Sequence, residues 1–370
     1  MLKLHMLQAE CGDCMILEFG TSTSPKYILI DGGPETIYQK HLQPELQKIR
    51  DGGGKLELTI LSHVDNDHII GLLDLMAELR YQRGNNQPET IAIDKLWHNS
   101  FSRTIGSGND IQARLGVILG TAGAARQVMT TTDMAVTGVG EGNTLRRDTA
   151  LLNIQINPGF PNDLVTVDEA PGPLVFGTLT IRIVGPTQKN LDELKKKWVE
   201  WLDKYEASVA TQDPFIAAMA DRSIPNLSSI MFLAEADGKK ILFTGDGRGD
   251  HLIQGLGQAN LLNANGGVHV DVMKVPHHGS DRNVTKKFFK TVTADKYVIS
   301  ANGKDDNPDM ATLIWIVEAA KDQSRAIEIF VTNETESTEK LVEEYDPDKY
   351  GYVLMKGKSG SHSTTLVIAP

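Results

Sequence analysis

Hydrophobic and polar positions alternate in short stretches near the start of the chain, and compact apolar runs recur through its second half. Alternation of this kind, bounded by Gly, Asp and Asn, predicts strands. The early strands are predicted in MILEFG, YILIDGG, KLELTILS (Lys55–Ser62), IAIDKLWHN (Ile91–Asn99) and LTIRIVGP (Leu179–Pro186). After Ser228, SSIMFLAEADGKKILFTGD is typical of a hairpin turning at Asp237-Gly238. Further strands follow in VDVMKVPHHGS, KYVISAN, IEIFVTN and TTLVIAP.

Helical spacing of apolar residues separates these strands. It predicts helices at Gln43–Arg50, Ile69–Arg80, Asp110–Met134, Asn190–Ala207, His251–Leu256 and Ala311–Lys321. Asn190 is the expected N-cap of its helix, with Glu193 three residues on. Gly138–Pro173 is rich in Gly, Pro, Asn and Thr and is expected to be loop. We therefore expect one domain over residues 1–370, with a less regular insertion or lid within about 81–215.

Composition excludes several classes of protein. Hydrophobic residues are 40% and charged residues 23%, which is ordinary for a globular chain and excludes a disordered, collagen-like or coiled-coil protein. The net charge of −11 argues against a broad nucleic-acid-binding surface. No apolar run is long enough to span a membrane, and two cysteines, Cys11 and Cys14, form no disulfide framework. We expect a cytoplasmic protein with no membrane association.

The strongest chemical signal is Ser62-His63-Val64-Asp65-Asn66-Asp67-His68, directly after a predicted buried strand. His63 and Asp65 can face one point, and Asp67 and His68 a second point nearby. Doubled ligand sets of this kind typically hold two metal ions roughly 3.5–4 Å apart. The alternative is a polar loop with Asp67 as the N-cap of the next helix.

Two later strand ends carry further potential ligands. Leu242-Phe243-Thr244-Gly245-Asp246 places a carboxylate after a strand, and Lys274-Val275-Pro276-His277-His278-Gly279-Ser280 places two imidazoles. Three strand ends that carry His and Asp together are hard to explain by packing alone. The sequence therefore predicts a metal centre at one rim of the sheets.

These motifs together resemble the metallo-β-lactamase superfamily, and within it the soluble hydrolase domain of the DNA-uptake competence type. That type has a GD start, a strand ending in IDGG, an SH-x-D-x-DH-x-x-G block, a late TGD and a VPHHGS. Here these are Gly12-Asp13, Ile30–Gly33, Ser62–Gly71, Thr244–Asp246 and Val275–Ser280. Their order and wide spacing both match, whereas residues 81–215 carry little of the resemblance.

The resemblance implies a four-layer αβ/βα sandwich of two mixed sheets flanked by helices, with a dinuclear site in the cleft between the sheets. Carried over by position, the first metal takes His63 and Asp65. The second takes Asp67, His68 and one of His277 or His278, and Asp246 bridges the two. Asp31 takes the place of an Asp that orients the ligands from behind.

The chain departs from the broad superfamily at the first metal. Asp65 stands where the superfamily has a second His, and no His lies near Asn226, where a third is expected. Harder oxygen ligands favour Mn²⁺ or Mg²⁺ over Zn²⁺, or weak occupancy of the first site. His98, the only His between His68 and Asp246, either fills this gap or is an ordinary hydrogen-bonded or substrate-facing residue.

Three functions are compatible with these residues. The first is a phosphodiesterase or nuclease that uses two divalent ions, Zn²⁺ or Mn²⁺, to activate a bridging hydroxide. It would act on an anionic substrate such as a nucleic acid or nucleotide. The second is a hydrolase of lactam, lactone or thioester bonds. The third is a non-catalytic or partner-activated metal-binding subunit, whose partner protein the sequence does not identify.

For the phosphodiesterase, we expect Asp67 to orient the hydroxide and His278, or whichever of the His pair does not ligate, to protonate the leaving oxygen. Ser280 and Asn283 are expected to touch phosphate. Three lysines that follow could form a basic lip or a solvated helix face, Lys286, Lys287 and Lys290.

Overall fold

The computed structural model describes residues 1–100, 103–104, 114, 132–211, 228–357 and 360–370. Within these ranges the strands form two mixed sheets. The first has the order β15-β1-β2-β3-β4-β5-β6, antiparallel from β15 to β3 and parallel from β3 to β6. Its strands are β1 (Leu2–Leu7), β2 (Met15–Thr21), β3 (Ser24–Ile30), β4 (Leu56–Ile60), β5 (Lys95–Trp97), β6 (Gln155–Ile156) and β15 (Ser363–Ala369).

The second sheet repeats this division in the order β14-β13-β12-β11-β10-β9-β8-β7. It is antiparallel from β7 to β10 and parallel from β10 to β14. Its strands are β7 (Leu174–Phe176), β8 (Leu179–Gly185), β9 (Met231–Ala236), β10 (Lys239–Phe243), β11 (Val268–Lys274), β12 (Val292–Ile299), β13 (Ile327–Val331) and β14 (Tyr352–Lys356).

Helices connect the parallel strands and cover the outer faces of the sheets. They are α1 (Gln43–Asp51), α2 (Asn66–Gly84), α3 (Thr132–Leu151), α4 (Gln188–Thr211), α5 (Gly249–Gln258), α6 (Lys286–Thr291), α7 (Met310–Asp322), α8 (Glu336–Glu344) and α9 (Pro347–Tyr350). A π-helical turn at Tyr38–Leu42 precedes α1, and short 3₁₀ turns lie at Pro276–Gly279 and Lys304–Asp306.

The apolar core has three parts, which define four layers. Between the sheets, side chains of the first such as Leu17 meet side chains of the second such as Phe232 and Phe243, whose rings stack 4.7 Å apart. A second cluster joins the outer face of the first sheet to α1, α2 and α3, and a third joins the second sheet to α5, α6, α7 and α8. The predicted sandwich of two mixed sheets flanked by helices is confirmed.

Two local expectations are wrong, and one strand was missed. Residues 138–151, expected to be loop, belong to α3, because buried Leu145 and Thr149 pack this helix against the first-sheet layer and outweigh its glycines. Asn190 is not an N-cap but lies inside α4, where its Oδ1 accepts hydrogen bonds from the backbone and hydroxyl of Thr187. The edge-adjacent strand β1 was not predicted. Most of the helix expected over Asp110–Met134 lies outside the described residues.

In the described part of the chain, no helix has both the length and the apolar character needed to cross a membrane.

Candidate metal centre

The candidate site lies where parallel strands of both sheets end. Asp31 follows β3, His63 follows β4, Asp246 follows β10, and the pair His277 and His278 follows β11. The carboxyl ends of parallel strands in open sheets are where such folds place ligand-binding groups. Here the two sheets bring their strand ends to one point, so residues that are up to 247 positions apart in the sequence become neighbours.

Asp246 is the centre of this arrangement. Among the described residues, four imidazoles direct Nε2 at its carboxylate. His68 Nε2 is 3.4 Å from Oδ1, whereas His63, His277 and His278 place Nε2 3.7, 3.5 and 3.5 Å from Oδ2. A carboxylate that is surrounded by four imidazole nitrogens has the surroundings of a bridging metal ligand.

Contacts behind the first two rings set their tautomers. His68 Nδ1 donates a hydrogen bond to Asp31 Oδ2 across 2.9 Å. Asp31 also accepts from the backbone N–H and the hydroxyl of Ser62, both at 2.7 Å. Because the Ser62 hydroxyl donates to Asp31, its oxygen accepts from His63 Nδ1 at 3.1 Å. With a divalent ion bound, both rings would therefore keep the proton on Nδ1 and turn the lone pair of Nε2 toward Asp246.

The second two rings follow the same rule. His277 Nδ1 donates to Asn283 Oδ1 at 2.7 Å, and His278 Nδ1 donates to the carbonyl of Ser300 at 2.9 Å. The Asn283 amide also donates to the carbonyl of Asp246, which ties the His277 ring to the bridging residue. Metal-ligating histidines characteristically use the second nitrogen in this way.

The backbone of the His pair lies in a strained conformation. His277 has φ 48° and ψ 53°, and His278 has φ 54° and ψ 18°, both in the left-handed region. Such a residue costs of order 1–3 kcal/mol and persists where the surroundings impose it. The consequence is that both rings lie on the Asp246 side. The expectation that one ring turns away is wrong, because two successive left-handed residues do not alternate as a strand does.

Asp65 and Asp67 add carboxylates next to different rings. Asp65 Oδ2 is 3.5 Å from His63 Nε2, and Asp67 Oδ2 is 3.3 Å from His278 Nε2. Asp67 Oδ1 is 3.9 Å from His68 Nε2. These two carboxylates keep 26% and 28% of their side-chain surface exposed, whereas Asp246 keeps 2%. The open face of the centre is therefore the face with Asp65 and Asp67.

Charge is concentrated strongly in this small volume. Burial opposes protonation of His68 and His278, but the neighbouring carboxylates, Asp246 first, outweigh it. They raise the pKa of His278 to about 10 and that of His68 well above its usual range. Burial likewise opposes ionisation of Asp246, yet the imidazoles of His278, His68 and His277 hold its pKa well below the ordinary value. The pKa of Asp67 is lowered in the same way, chiefly by His68 and His278 against burial.

Several polar atoms that face inward have no hydrogen-bond partner among the described residues. They are His63 Nε2, His68 Nε2, His278 Nε2 and Asp246 Oδ1. Orphaned buried polar atoms are costly and need an explanation. Imidazole nitrogens and a carboxylate oxygen that face one another are the donor set that binds Zn²⁺ and other divalent metals. The residues present therefore fit divalent metal ions.

Three further residues join the centre that the sequence did not identify as site residues. Asp13, Asp246, His68 and His278 each offer a ligand atom within 4.8 Å of the other three. Lys274 forms a fully buried ion pair with Asp13. Asp13 belongs to the GD motif of the resemblance, and Lys274 immediately precedes the VPHHGS block. Their positions next to these motifs were the signal in the sequence that could have identified them as site residues.

The third is Glu141 on α3. Its Oε2 is buried without a hydrogen-bond partner in the described ranges, and burial together with the charge of Asp65 raises its pKa to about 7. The next residue, Gly142, brings the helix against the ligand loop, since a Cβ there would lie 3.1 Å from Val64 Cγ1. No pattern in the sequence predicted this carboxyl at the site.

Two close backbone contacts fix the ligand loop. A Cβ on Gly71 would lie 2.0 Å from the carbonyl oxygen of Gly32, and one on Gly12 would lie 1.9 Å from that of Asp67. Only glycine permits these approaches. The glycines of the GD motif, the IDGG motif and the first His/Asp block are therefore needed for packing as well as for the site. They hold the start of α2, with Asp67 and His68, against β3.

The remaining predicted residues lie at different distances from the centre. The ring of His98 is buried against α3, and in the described part of the chain neither of its nitrogens has a hydrogen-bond partner. Burial and then Arg146 lower its pKa to about 3, so it is neutral. It is not among the rings that face Asp246 in the described part of the chain. Ser280 is buried and donates its backbone N–H to the carbonyl of His277. Asn226 lies outside the described residues.

The contacts of Asn283 and of two lysines bear on the possible phosphate contacts. Both ends of the Asn283 side chain already have partners, His277 and Asp246. Lys286 pairs with Glu318 and Asp322 on α7, and Lys290 pairs with Asp322. These ion pairs favour the alternative of a solvated helix face for the two lysines over a basic lip.

A match to one family model agrees with the fold. Residues 13–162 match the family model described as "Metallo-beta-lactamase superfamily". The match includes Asp31 and the block from His63 to His68. Among solved structures, the chain is similar to Zn(2+)-bound PqqB from Methylobacterium extorquens. The two are 9% identical, with a TM-score of 0.37 over 98% of this chain and 99% of that chain. No curated protein sequence matches the chain.

Proposed function

We propose that this protein is a metal-dependent hydrolase with a dinuclear centre, and that its substrate is a phosphodiester. The observation that carries the proposal is the convergence of four imidazole Nε2 atoms on the single buried carboxylate of Asp246. Each ring is oriented by a hydrogen bond at Nδ1, so the lone pairs are committed to one volume. Metallo-β-lactamase superfamily proteins are in general hydrolytic metalloenzymes, in agreement with this assignment.

The distances divide the ligands into two sets that share Asp246. His68, Asp67 and His278 form one set, joined by the contacts of Asp67 to both rings. His63 and Asp65 lie together on the other side, and we assign His277 to them as the remaining ring that faces Asp246. His277 would thus supply a second imidazole at the first site, where the sequence predicts only His63.

Each part of the centre has a separate task in this proposal. Divalent ions held by these groups would supply Lewis-acid activation of water and of a phosphoryl oxygen. Asp65 and Asp67 border the open face, where Asp67 can accept a hydrogen bond from the attacking water and orient it. His278 is 3% exposed and faces inward, so we assign it to the ligands and not to proton donation. Asp31 and Asn283 hold the rings in place.

An anionic substrate fits the charges of the site. Divalent ions held next to the open face would be the positive charges nearest to a substrate, within a chain of net charge −11. Direct contact with such ions favours a reacting centre that is itself negative, as in a phosphodiester, over a neutral lactam or lactone. The acidic surface should make binding of long nucleic acids weak and sensitive to salt, so short or single-stranded substrates are expected. The resemblance to the DNA-uptake competence type supports the same class.

A metal-by-substrate grid tests the proposal. The chain is freed of metal and reconstituted with Mn²⁺, Zn²⁺ or Mg²⁺, then assayed on bis(p-nitrophenyl) phosphate, single-stranded DNA, nitrocefin and a lactone. We expect Mn²⁺-stimulated phosphodiester cleavage that His68→Ala abolishes. The matched control is His269→Ala on β11, an exposed histidine that pairs with Asp295 away from the centre and should leave turnover intact. Turnover of the lactone or nitrocefin, without cleavage of either phosphodiester, would show that the substrate is a carboxylic derivative.

A further inference from the structure

Lys274 is the last residue of β11 and is completely buried inside the metal centre. Its ammonium pairs with Asp13, donates a hydrogen bond to the carbonyl of Gly245 at 3.1 Å, and lies 3.7 Å from Asp246 Oδ1. Burial opposes its charge, but Asp13 and Asp246 outweigh that and raise its pKa above the ordinary value. A buried ammonium needs several oxygen partners, and these three supply them.

The oxygen partners of Lys274 are themselves a potential cation site. Asp13 and Asp246 are both buried and belong to one group of potential ligands whose atoms lie within 4.8 Å of one another. Asp13 lies behind the rings, 3.6 Å from His278 Nδ1 and 4.0 Å from His68 Nδ1. Asp246 Oδ1 has no hydrogen-bond partner in the described ranges. The two carboxylates and the carbonyl oxygen of Gly245 could therefore hold a metal ion at the back of the centre, where Lys274 now lies.

The charges of the centre agree with this interpretation. Five carboxylates, those of Asp13, Asp31, Asp65, Asp67 and Asp246, contact the ligand rings or Lys274. One ammonium among them leaves four negative charges, which two divalent ions balance. Without the ammonium, one carboxylate would remain uncompensated in a buried place, at a high cost in free energy.

We propose that the ammonium of Lys274 is a built-in cation, which fills a latent third metal site formed by the carboxylates of Asp13 and Asp246 and the carbonyl oxygen of Gly245. It would restrict metal ions to the open side of the centre. An ammonium suits this task because it is a compact point charge with three donors, and unlike a metal ion it is not lost by dissociation. The inference rests on the metal centre proposed above, but its test does not depend on hydrolysis.

The experiment replaces Lys274 by Met, which keeps the length of the side chain and removes its charge. Metal-free Lys274→Met and the parent chain are equilibrated with Mn²⁺ in buffers whose monovalent cation is tetramethylammonium. Bound metal per chain is then measured by plasma mass spectrometry. We expect Lys274→Met to bind about one more Mn²⁺ per chain than the parent does. In the double variant Asp13→Asn with Lys274→Met, the extra ion should be lost, because its carboxylate is gone. Lys240→Met, toward the start of β10, is the control for the loss of a lysine.

Lys274→Met can be less stable than the parent, so its folding is measured by circular dichroism with and without Mn²⁺. Lys274→Met that folds only when Mn²⁺ is present would support the inference, since the ion would be replacing the ammonium. A folded variant with no more metal than the parent would overturn it, as would a variant that stays unfolded in Mn²⁺. A parent chain that binds no metal would instead refute the proposed function. The gain of one ion in Lys274→Met would still be measurable in that case.

Discussion

His277 and His278 are neighbours in the sequence and yet place their Nε2 atoms at the same distance, 3.5 Å, from one oxygen of Asp246. Their ring centroids are 6.0 Å apart, so the rings approach that oxygen from different directions. Two successive left-handed residues make this possible. In the proposed centre, each ring would serve a different metal ion.

Single replacements of the pair should therefore remove different metal ions. His277→Gln is expected to weaken the first site, with His63 and Asp65, and His278→Gln the second, with Asp67 and His68. Each variant should keep about one bound metal per chain, and Co²⁺ spectra of the two should differ because the remaining ligand sets differ. Identical spectra would show that the two rings serve one site.

Asp246 contacts both sets, so its replacement should affect both ions. Asp246→Asn is expected to bind neither metal tightly, whereas Asp65→Asn, which alters only the first set, should keep one. Metal content after gel filtration into metal-free buffer measures this. A parent-like metal content in Asp246→Asn would contradict its bridging position.

Asp31 should control affinity from behind His68. Removing such a partner typically costs about 10–100-fold in metal affinity. Asp31→Asn retains the shape of the side chain but loses the charge that fixes the Nδ1 proton of His68. We therefore expect metal affinity at the second site to fall within that range. Competition with a fluorescent chelator measures the affinity. The matched control is Asp271→Asn, whose carboxylate pairs with Lys239 away from the centre. An equal loss in both variants would point to general destabilisation.

The raised pKa of His278 predicts opposite trends for stability and metal binding. Its pKa rises from an ordinary value near 6.5 to about 10 in the metal-free protein. The stabilisation by its proton is therefore complete below pH 6.5 and is lost as the pH rises through 10. The melting temperature of the metal-free chain should fall between pH 7 and 10, while affinity for metal rises because fewer protons must be displaced. His278→Gln should flatten both trends in melting curves and titrations.

The raised pKa of Glu141 predicts that stability also changes with pH in a lower pH range. Its pKa is raised to about 7, so the folded chain retains a proton that the unfolded chain loses near pH 4.5. Stability that depends on this proton falls as the pH rises from 4.5 to 7. Glu141→Gln, which does not ionise, should therefore melt higher than the metal-free parent at pH 8 and about equally at pH 4.5. Parallel melting curves at both pH values would show that Glu141 is ionised throughout.

The sequence predicted those features of this protein that depend on local pattern. Alternating and apolar runs predicted most of the strands, and helical spacing predicted α1, α2 and α7. An element with one buried face repeats its apolar residues with the period of that element, so the sequence shows it. Ligand residue types at three strand ends pointed to one rim, since the carboxyl ends of parallel strands share one edge of a sheet. The short strand β1 escaped prediction, and α3 was taken for loop because its glycines and threonines oppose a helix that only packing stabilises.

Tertiary structure alone decided how these residues combine. The sequence could not show that both rings of the His pair face Asp246, because this depends on two left-handed backbone residues. Nor could it show that Asp13 and Lys274, 261 positions apart, form a buried pair behind the ligands, or that α3 brings Glu141 to Asp65. Local pattern records which side of an element is buried. The distance and angle between two charged groups on different elements depend on the packing of both sheets, and that is where the chemistry of this centre is set.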